Sequence, residues 1–188
     1  MNNDKLIAQR ILQAVGGNPK VVEYRDKNEN STVGIFIGAN RPYDDVTTYS
    51  TIGLSNYGIG LKYQNKEIRV EFVGGSESKY KKFGNILSSC AFNIINDKFS
   101  CKPGTVYPNT VSEYYEEISV KHVLFTDPFL WDGLEYIDTE NVHITWLMLI
   151  PISDKEFKFI RNNSVEELED LFKKNEIDIF DLNRDSVI

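Results

Sequence analysis

The chain carries two histidines, His122 and His143, among 28 acidic residues. Histidine with carboxylate is a common recipe for a metal site or a general base. Each histidine opens an apolar, β-branched run, so the two are expected as neighbours across a sheet. The spacing goes no further. There is no His-x-x-x-His, no Cys-x-x-Cys and no His-Glu-x-x-His. Nor is there a Gly-x-Ser-x-Gly elbow or a phosphate-binding loop. Asn56-Tyr57-Gly58-Ile59-Gly60 lacks the third glycine and the strand-to-helix context of a dinucleotide fingerprint. Cys90 falls on an apolar helix face and reads as a small core residue. Cys101, beside Pro103-Gly104, is expected as an exposed thiol, with no base or cation in view to activate it. No catalytic residue, metal or cofactor is assigned. A hydrolase built on carboxylates or on His122 and His143 is the remaining enzymatic alternative.

Recognition chemistry is better represented. Asp44 and Asp45 share a loop, Glu113, Glu116 and Glu117 flank Tyr114 and Tyr115, and Asp127, Asp132 and Glu135 surround Trp131. Tyrosine and tryptophan supply buried anchors at interfaces, and carboxylates steer a basic partner. The candidate partner-binding residues are therefore Asp44, Asp45, Glu113, Tyr114, Tyr115, Glu116, Glu117, Trp131, Asp132 and Glu135. The plainer reading of each cluster is a solvated acidic face. A net charge of −7 disfavours nucleic acid and anionic membranes, and favours a basic protein partner.

These residues need a scaffold. At 188 residues, 41% hydrophobic and 12% aromatic, the chain is expected to fold as one domain over residues 1–188. No apolar run resembles a signal peptide or a membrane span, so a cytoplasmic location is expected. Asn30-Ser31-Thr32 and Asn162-Asn163-Ser164 match the glycosylation pattern by chance in such a chain.

The centre is the run His143 to Pro151. In a strand, Trp146, Met148 and Ile150 point one way and Leu147 and Leu149 the other, which predicts an inner strand covered on both faces. Ser153-Asp154-Lys155-Glu156 and Ser164-Val165-Glu166-Glu167 are capping boxes that predict two helices in succession. Earlier in the chain, residues 4–15 read as a helix ended by Gly16-Gly17. Strands are predicted at 20–25, 33–37, 46–54, 67–73 and 121–126. Gly74-Gly75-Ser76 reads as a break, followed by the longest helix, Ser78 to Asn96. Gly84 inside that helix predicts a close neighbour. Residues 99–115 and 129–139 read as loops, and 178–184 as a last turn.

Several of these runs, in order, resemble the suppressor of fused family. Trp146 to Phe157 resembles its apolar-Pro-Ile strand followed by a helix that begins with a glutamate. Thr48 to Ser55 resembles its early strand with a Gly-Leu-Ser ending. Ile68-Arg69-Val70-Glu71-Phe72 resembles its Arg-x-Glu strand, and Lys121 to Pro128 a later strand ending near proline. Leu182-Asn183-Arg184-Asp185-Ser186 resembles its closing Leu-x-Arg-x-Ser. The resemblance runs from about Val15 to the end. It implies an α+β fold: a twisted central sheet, mostly antiparallel or mixed, flanked by helices. It implies no enzymatic activity. The animal member grips a transcription-factor peptide between two lobes, and this chain is too short for the second lobe. Single-domain bacterial members resemble immunity proteins, antitoxins that bind and neutralise the nuclease domains of polymorphic toxins, notably those with an LXG targeting domain. The resemblance thus implies a cognate toxin with a basic toxic domain as partner. A peptide-binding regulator is the alternative, accepting an extended segment at a sheet edge.

Overall fold

The computed structural model describes residues 3–134 and 136–188. Their elements are α1 (Asp4–Val15), β1 (Lys20–Arg25), β2 (Thr32–Ala39), β3 (Val46–Ile52), β4 (Lys62–Tyr63), β5 (Lys66–Glu77), α2 (Phe83–Ile95), β6 (Val106–Tyr107), β7 (Val120–Thr126), β8 (Tyr136–Asp138), β9 (Val142–Ser153), α3 (Asp154–Asn162) and α4 (Val165–Lys174). Among the described residues nine strands form one mixed sheet, ordered β1-β2-β3-β5-β9-β7-β6, with β4 on β5 and β8 on β9. This is the expected α+β architecture.

The run from His143 lies inside the sheet. It pairs in parallel with β5 and antiparallel with β7. Its alternation divides the core as anticipated. Trp146, Met148 and Ile150 join a cluster with Ile7 and Ile11 of α1 and Leu168 of α4. Leu147 and Leu149 join the opposite cluster with Phe83, Leu87 and Cys90 of α2. Helices therefore cover both faces, and Cys90 is the core residue it was read as.

Both capping boxes form. Ser153 and Ser164 accept the N–H of Glu156 and Glu167, whose carboxylates return to the capping residues' own N–H groups.

The glycine pair behaves differently from its reading. β5 continues through Gly74 and Gly75, which pair with Tyr49 and Thr48 of β3, so no break occurs there. The absent side chains serve packing. A Cβ at Gly74 would lie 3.1 Å from the Phe83 ring, and one at Gly75 would lie 2.9 Å from the Phe180 ring. α2 accordingly begins at Phe83 rather than Ser78. Gly84 does meet a close neighbour: a Cβ would stand 2.7 Å from Tyr24 Oη. Residues 99–115 contain β6, and the predicted loop 129–139 contains β8.

The two histidines are not neighbours. Because β7 runs antiparallel to β9, its early residue His122 pairs with Ile152 near the far end of β9. His143, near the start of β9, pairs with Ile68 and Asp138. Nine steps along the strand separate 143 from 152, roughly 30 Å at about 3.3 Å per residue. Cys101 is 1% exposed rather than an open thiol, because residues 99–107 fold back over the α2 side of the sheet.

Candidate partner-binding surface

The quoted sequence motifs mostly build the scaffold. Glu71 of β5 is 0% exposed. It accepts bonds from Thr51 Oγ1 (2.6 Å) and from the N–H groups of Gly53 (3.1 Å) and Ser55 (2.9 Å). The Gly-Leu-Ser turn thus wraps a buried carboxylate, and Gly53 takes φ 98°, which favours glycine. Burial pushes the Glu71 carboxyl above its ordinary range, against these donors.

His122 is equally committed. Its Nδ1 accepts the Asn109 N–H at 2.9 Å, and the proton this leaves on Nε2 is donated to Asp154 Oδ1 at 3.0 Å. The ring packs on Phe157 at 4.7 Å between centroids. Neither nitrogen retains a lone pair for base or metal chemistry, and the arrangement holds β7 against α3. His143 stacks on Tyr136 at 4.9 Å. Among the described residues no three His, Cys, Asp or Glu side chains are placed to hold a metal ion. No described helix is long and apolar enough to cross a membrane.

Two of the three acidic clusters are joined by the fold. Asp44 and Asp45 occupy the β2–β3 turn, where the Asp45 carbonyl accepts the Ser78 N–H at 2.6 Å. Beside them Tyr43 meets Phe180 edge-on at 6.0 Å, in a hollow of about 380 Å³ that Glu77 and Asp178 also line. From there Tyr80 donates a hydrogen bond to Asp181, and Tyr80 also meets Tyr115 edge-on at 5.9 Å. Burial pushes the Asp181 carboxyl up, but the Tyr80 hydroxyl, the Asn183 N–H and the Lys79 charge hold it below its ordinary value.

Tyr115 Oη accepts the Lys82 N–H at 2.6 Å, and the Tyr114 and Ser89 hydroxyls are 2.6 Å apart. Both tyrosines are half-buried, while Glu113, Glu116 and Glu117 are exposed around them. The buried Tyr80 thus connects the Asp44, Asp45, Glu77, Asp178 and Asp181 side to the segment of Glu113, Glu116 and Glu117, with Lys79, paired to Glu77 and Asp181, and the exposed Lys81 and Lys82 between them. Glu77, Tyr80, Asp178 and Asp181 were missed in the sequence: Glu77 and Tyr80 are set among lysines, and Asp178-Ile179-Phe180-Asp181, although acids beside an aromatic, was read only as a last turn.

The third cluster lies apart. Trp131 is 4% exposed and belongs to the core on the α1 and α4 side, so its ring is not presented at the surface. Asp132 is exposed beside it. Glu135 lies outside the described residues.

Comparison with known proteins agrees with this architecture. The family model for suppressor of fused protein matches residues 29–185. The immunity protein YqcF of Bacillus subtilis (strain 168) is 41% identical over 186 residues, covering 98% of this chain and 97% of that protein. A crystal structure of a suppressor of fused homologue from Neisseria gonorrhoeae superposes with a TM-score of 0.69 at 20% identity, covering 98% of this chain and 96% of that one. The Sufu–Fu complex gives a TM-score of 0.72 at 12% identity, covering 99% and 92%. At such identities the structures speak for the fold, while the family match and YqcF place the sequence: this chain belongs to the suppressor of fused family.

Proposed function

We propose that this protein is an immunity protein that binds a cognate secreted toxin one-to-one and occludes its toxic site. The observation that carries this is the 41% identity to the immunity protein YqcF, which runs nearly end to end in both chains. The toxic domain is proposed to be basic, as a nuclease must be to hold phosphates. The joined acidic surface of Asp44, Asp45, Glu113, Glu116 and Glu117 supports that choice, as does the net charge of −7. The protein acts as one domain, in the cytoplasm where such a nuclease meets its substrate. Neutralisation proceeds by binding, without catalysis.

The test is co-expression with the neighbouring toxin gene. Rescue of growth together with a one-to-one complex is expected. Absence of both rescue and complex would sink the proposal.

A second reading has its own observation. β1 is an edge strand, and Val21 and Val22 stand 58% and 42% exposed on it. Such an edge accepts an extended peptide by strand addition. A peptide-array screen that finds a short linear ligand, in a chain that captures no toxin, would favour this regulator.

A further inference from the structure

α2 is unusual for a surface helix. From Phe83 to Ile95 it contains no charged residue. Its outward positions Asn85, Ser89, Phe92 and Asn93 are half-buried, and none of its residues is fully exposed. Surface helices ordinarily turn charged side chains to water. A face depleted of charge and set with neutral amides and an aromatic ring is instead the composition of an interface centre.

This face is the floor of a groove of about 970 Å³. The β1–β2 hairpin makes one wall. It is pinned to the end of α2, where Asn96 Nδ2 donates to Asp26 at 3.0 Å and Ser31 Oγ donates to Asn96 at 2.6 Å. The segment bearing Glu113 and Tyr114 makes the other wall, tied to mid-helix by the Tyr114–Ser89 contact. Both walls are therefore built before any partner arrives, which lowers the ordering cost of binding. Phe99, 48% exposed, stands at the mouth, edge-on to Tyr107 at 5.8 Å. Among the described residues the side-chain amides of Asn85 and Asn93 have no hydrogen-bond partner.

We propose that this groove seats the toxin: a polypeptide segment of the toxic domain lies along α2, with basic side chains directed at the rim. This deepens the immunity reading and rests on it. Free amides suit the N–H and C=O groups of a peptide backbone, and Phe92 and Phe99 suit an apolar side chain. The charge selects the sign of the partner. Asp26, Asp97 and Glu113 line the groove, Asp26 already accepting from the Asn30 and Ser31 N–H groups and from Asn96, and Glu116 and Glu117 follow exposed in the segment that bears Glu113. Of the two lining cations, Arg25 is already held by Glu23 at 3.0 Å, and Lys27 stands exposed on the β1–β2 turn, so carboxylates outnumber cations three to two along the groove. A phosphate ligand would meet these carboxylates, so a basic polypeptide is the better match.

The test uses the full chain and the purified domain of the neighbouring toxin, with complex formation by the unaltered chain measured first. Asn85→Arg and Asn93→Arg place a cation on the neutral floor, at half-buried positions with no bond to lose. Each is expected to weaken the complex by about 30-fold or more, as hot-spot positions do, while thermal unfolding stays near that of the parent. Glu166→Arg on α4, across the sheet, is expected to bind like the parent. Hydrogen exchange in the complex is expected to protect residues 25–30 and 83–96. If the unaltered chain binds but both arginine variants bind equally well and α2 gains no protection, the groove proposal falls and the immunity reading stands. If the unaltered chain forms no complex, both fall.

Discussion

Arg184 grips Glu156 with both arms. Nη1 lies 2.7 Å from Oε1 and Nη2 lies 2.9 Å from Oε2, with the two residues 7% and 0% exposed. The same carboxylate accepts the N–H of Ser153 at 2.8 Å and of Val187 at 3.2 Å, and Arg184 also donates to the Pro151 carbonyl at 3.1 Å. The capping glutamate of α3 is therefore the anchor of the C-terminal tail. Removing one partner strands a buried charge. Arg184→Met is expected to lower stability by roughly 3–5 kcal/mol in urea unfolding, on the scale of broken buried pairs. Combining it with Glu156→Gln is expected to cost less than the sum of the single changes, since the stranded charge is gone.

Two buried glutamates predict opposite pH behaviour. At Glu156 burial pushes the carboxyl up, but the Arg184 hydrogen bonds and charge, with the Ser153 and Val187 N–H groups, hold it below its ordinary value. The unfolded chain then takes up the proton first as pH falls. The pair's contribution is present above the ordinary glutamate value of 4.5 and is lost as pH falls through the folded value. At Glu71 burial wins and the folded value is raised above 4.5. Its contribution is full below 4.5 and declines as pH rises through the folded value. Urea midpoints measured from about pH 3 to pH 8 should show this directly through the linkage slope. Glu156→Gln should flatten the acid limb, and Glu71→Gln should remove a decline above it. An unchanged slope in either variant would contradict the assignment for that residue.

Gly84 supplies a packing test. Alanine is favoured over glycine in a helix by about 1 kcal/mol. Here the new Cβ would stand 2.7 Å from Tyr24 Oη and 3.4 Å from the Tyr49 ring. Overpacking of this kind costs about 1–3 kcal/mol, so Gly84→Ala is expected to destabilise despite its propensity. Tyr24→Phe in the same chain removes the atom in contact and should return the helix gain. Additive effects in thermal unfolding would mean the two residues do not touch in solution.

The parts that were legible in the sequence are those with local causes. Both capping boxes depend on residues three apart, and both form. The β9 run is apolar on both faces at strand length, and it lies between β5 and β7. What was illegible depends on distant partners. Gly74 and Gly75 read as punctuation because their reason, the rings of Phe83 and Phe180, lies elsewhere in the chain. The histidine pair failed because the direction of β7 relative to β9 is not a local property. Asp44-Asp45 and the Glu113 to Glu117 segment were each visible as acids beside aromatics. Their connection runs through Tyr80 and Asp181, residues 101 apart in sequence, and no spacing rule reaches that far. Trp131 shows the converse hazard, an aromatic among acids whose ring the α1 and α4 core has claimed.

The acidic surface makes a kinetic prediction. Glu113, Glu116 and Glu117 are exposed, so their charges act through water and steer the encounter more than they hold the complex. Replacing all three with lysine changes the net charge from −7 to −1, by six units. For a basic toxin the association rate should fall by about tenfold or more at low salt, and its salt dependence should become shallower. The dissociation rate should move less, since rim charges are screened once the complex is formed. Stability of the free protein should stay within about 0.5 kcal/mol, the usual span for surface substitutions away from packed features. Stopped-flow association at several ionic strengths separates these effects. An unchanged rate and an unchanged salt slope would remove these three glutamates from the interface. A faster rate would show that the partner facing them is acidic.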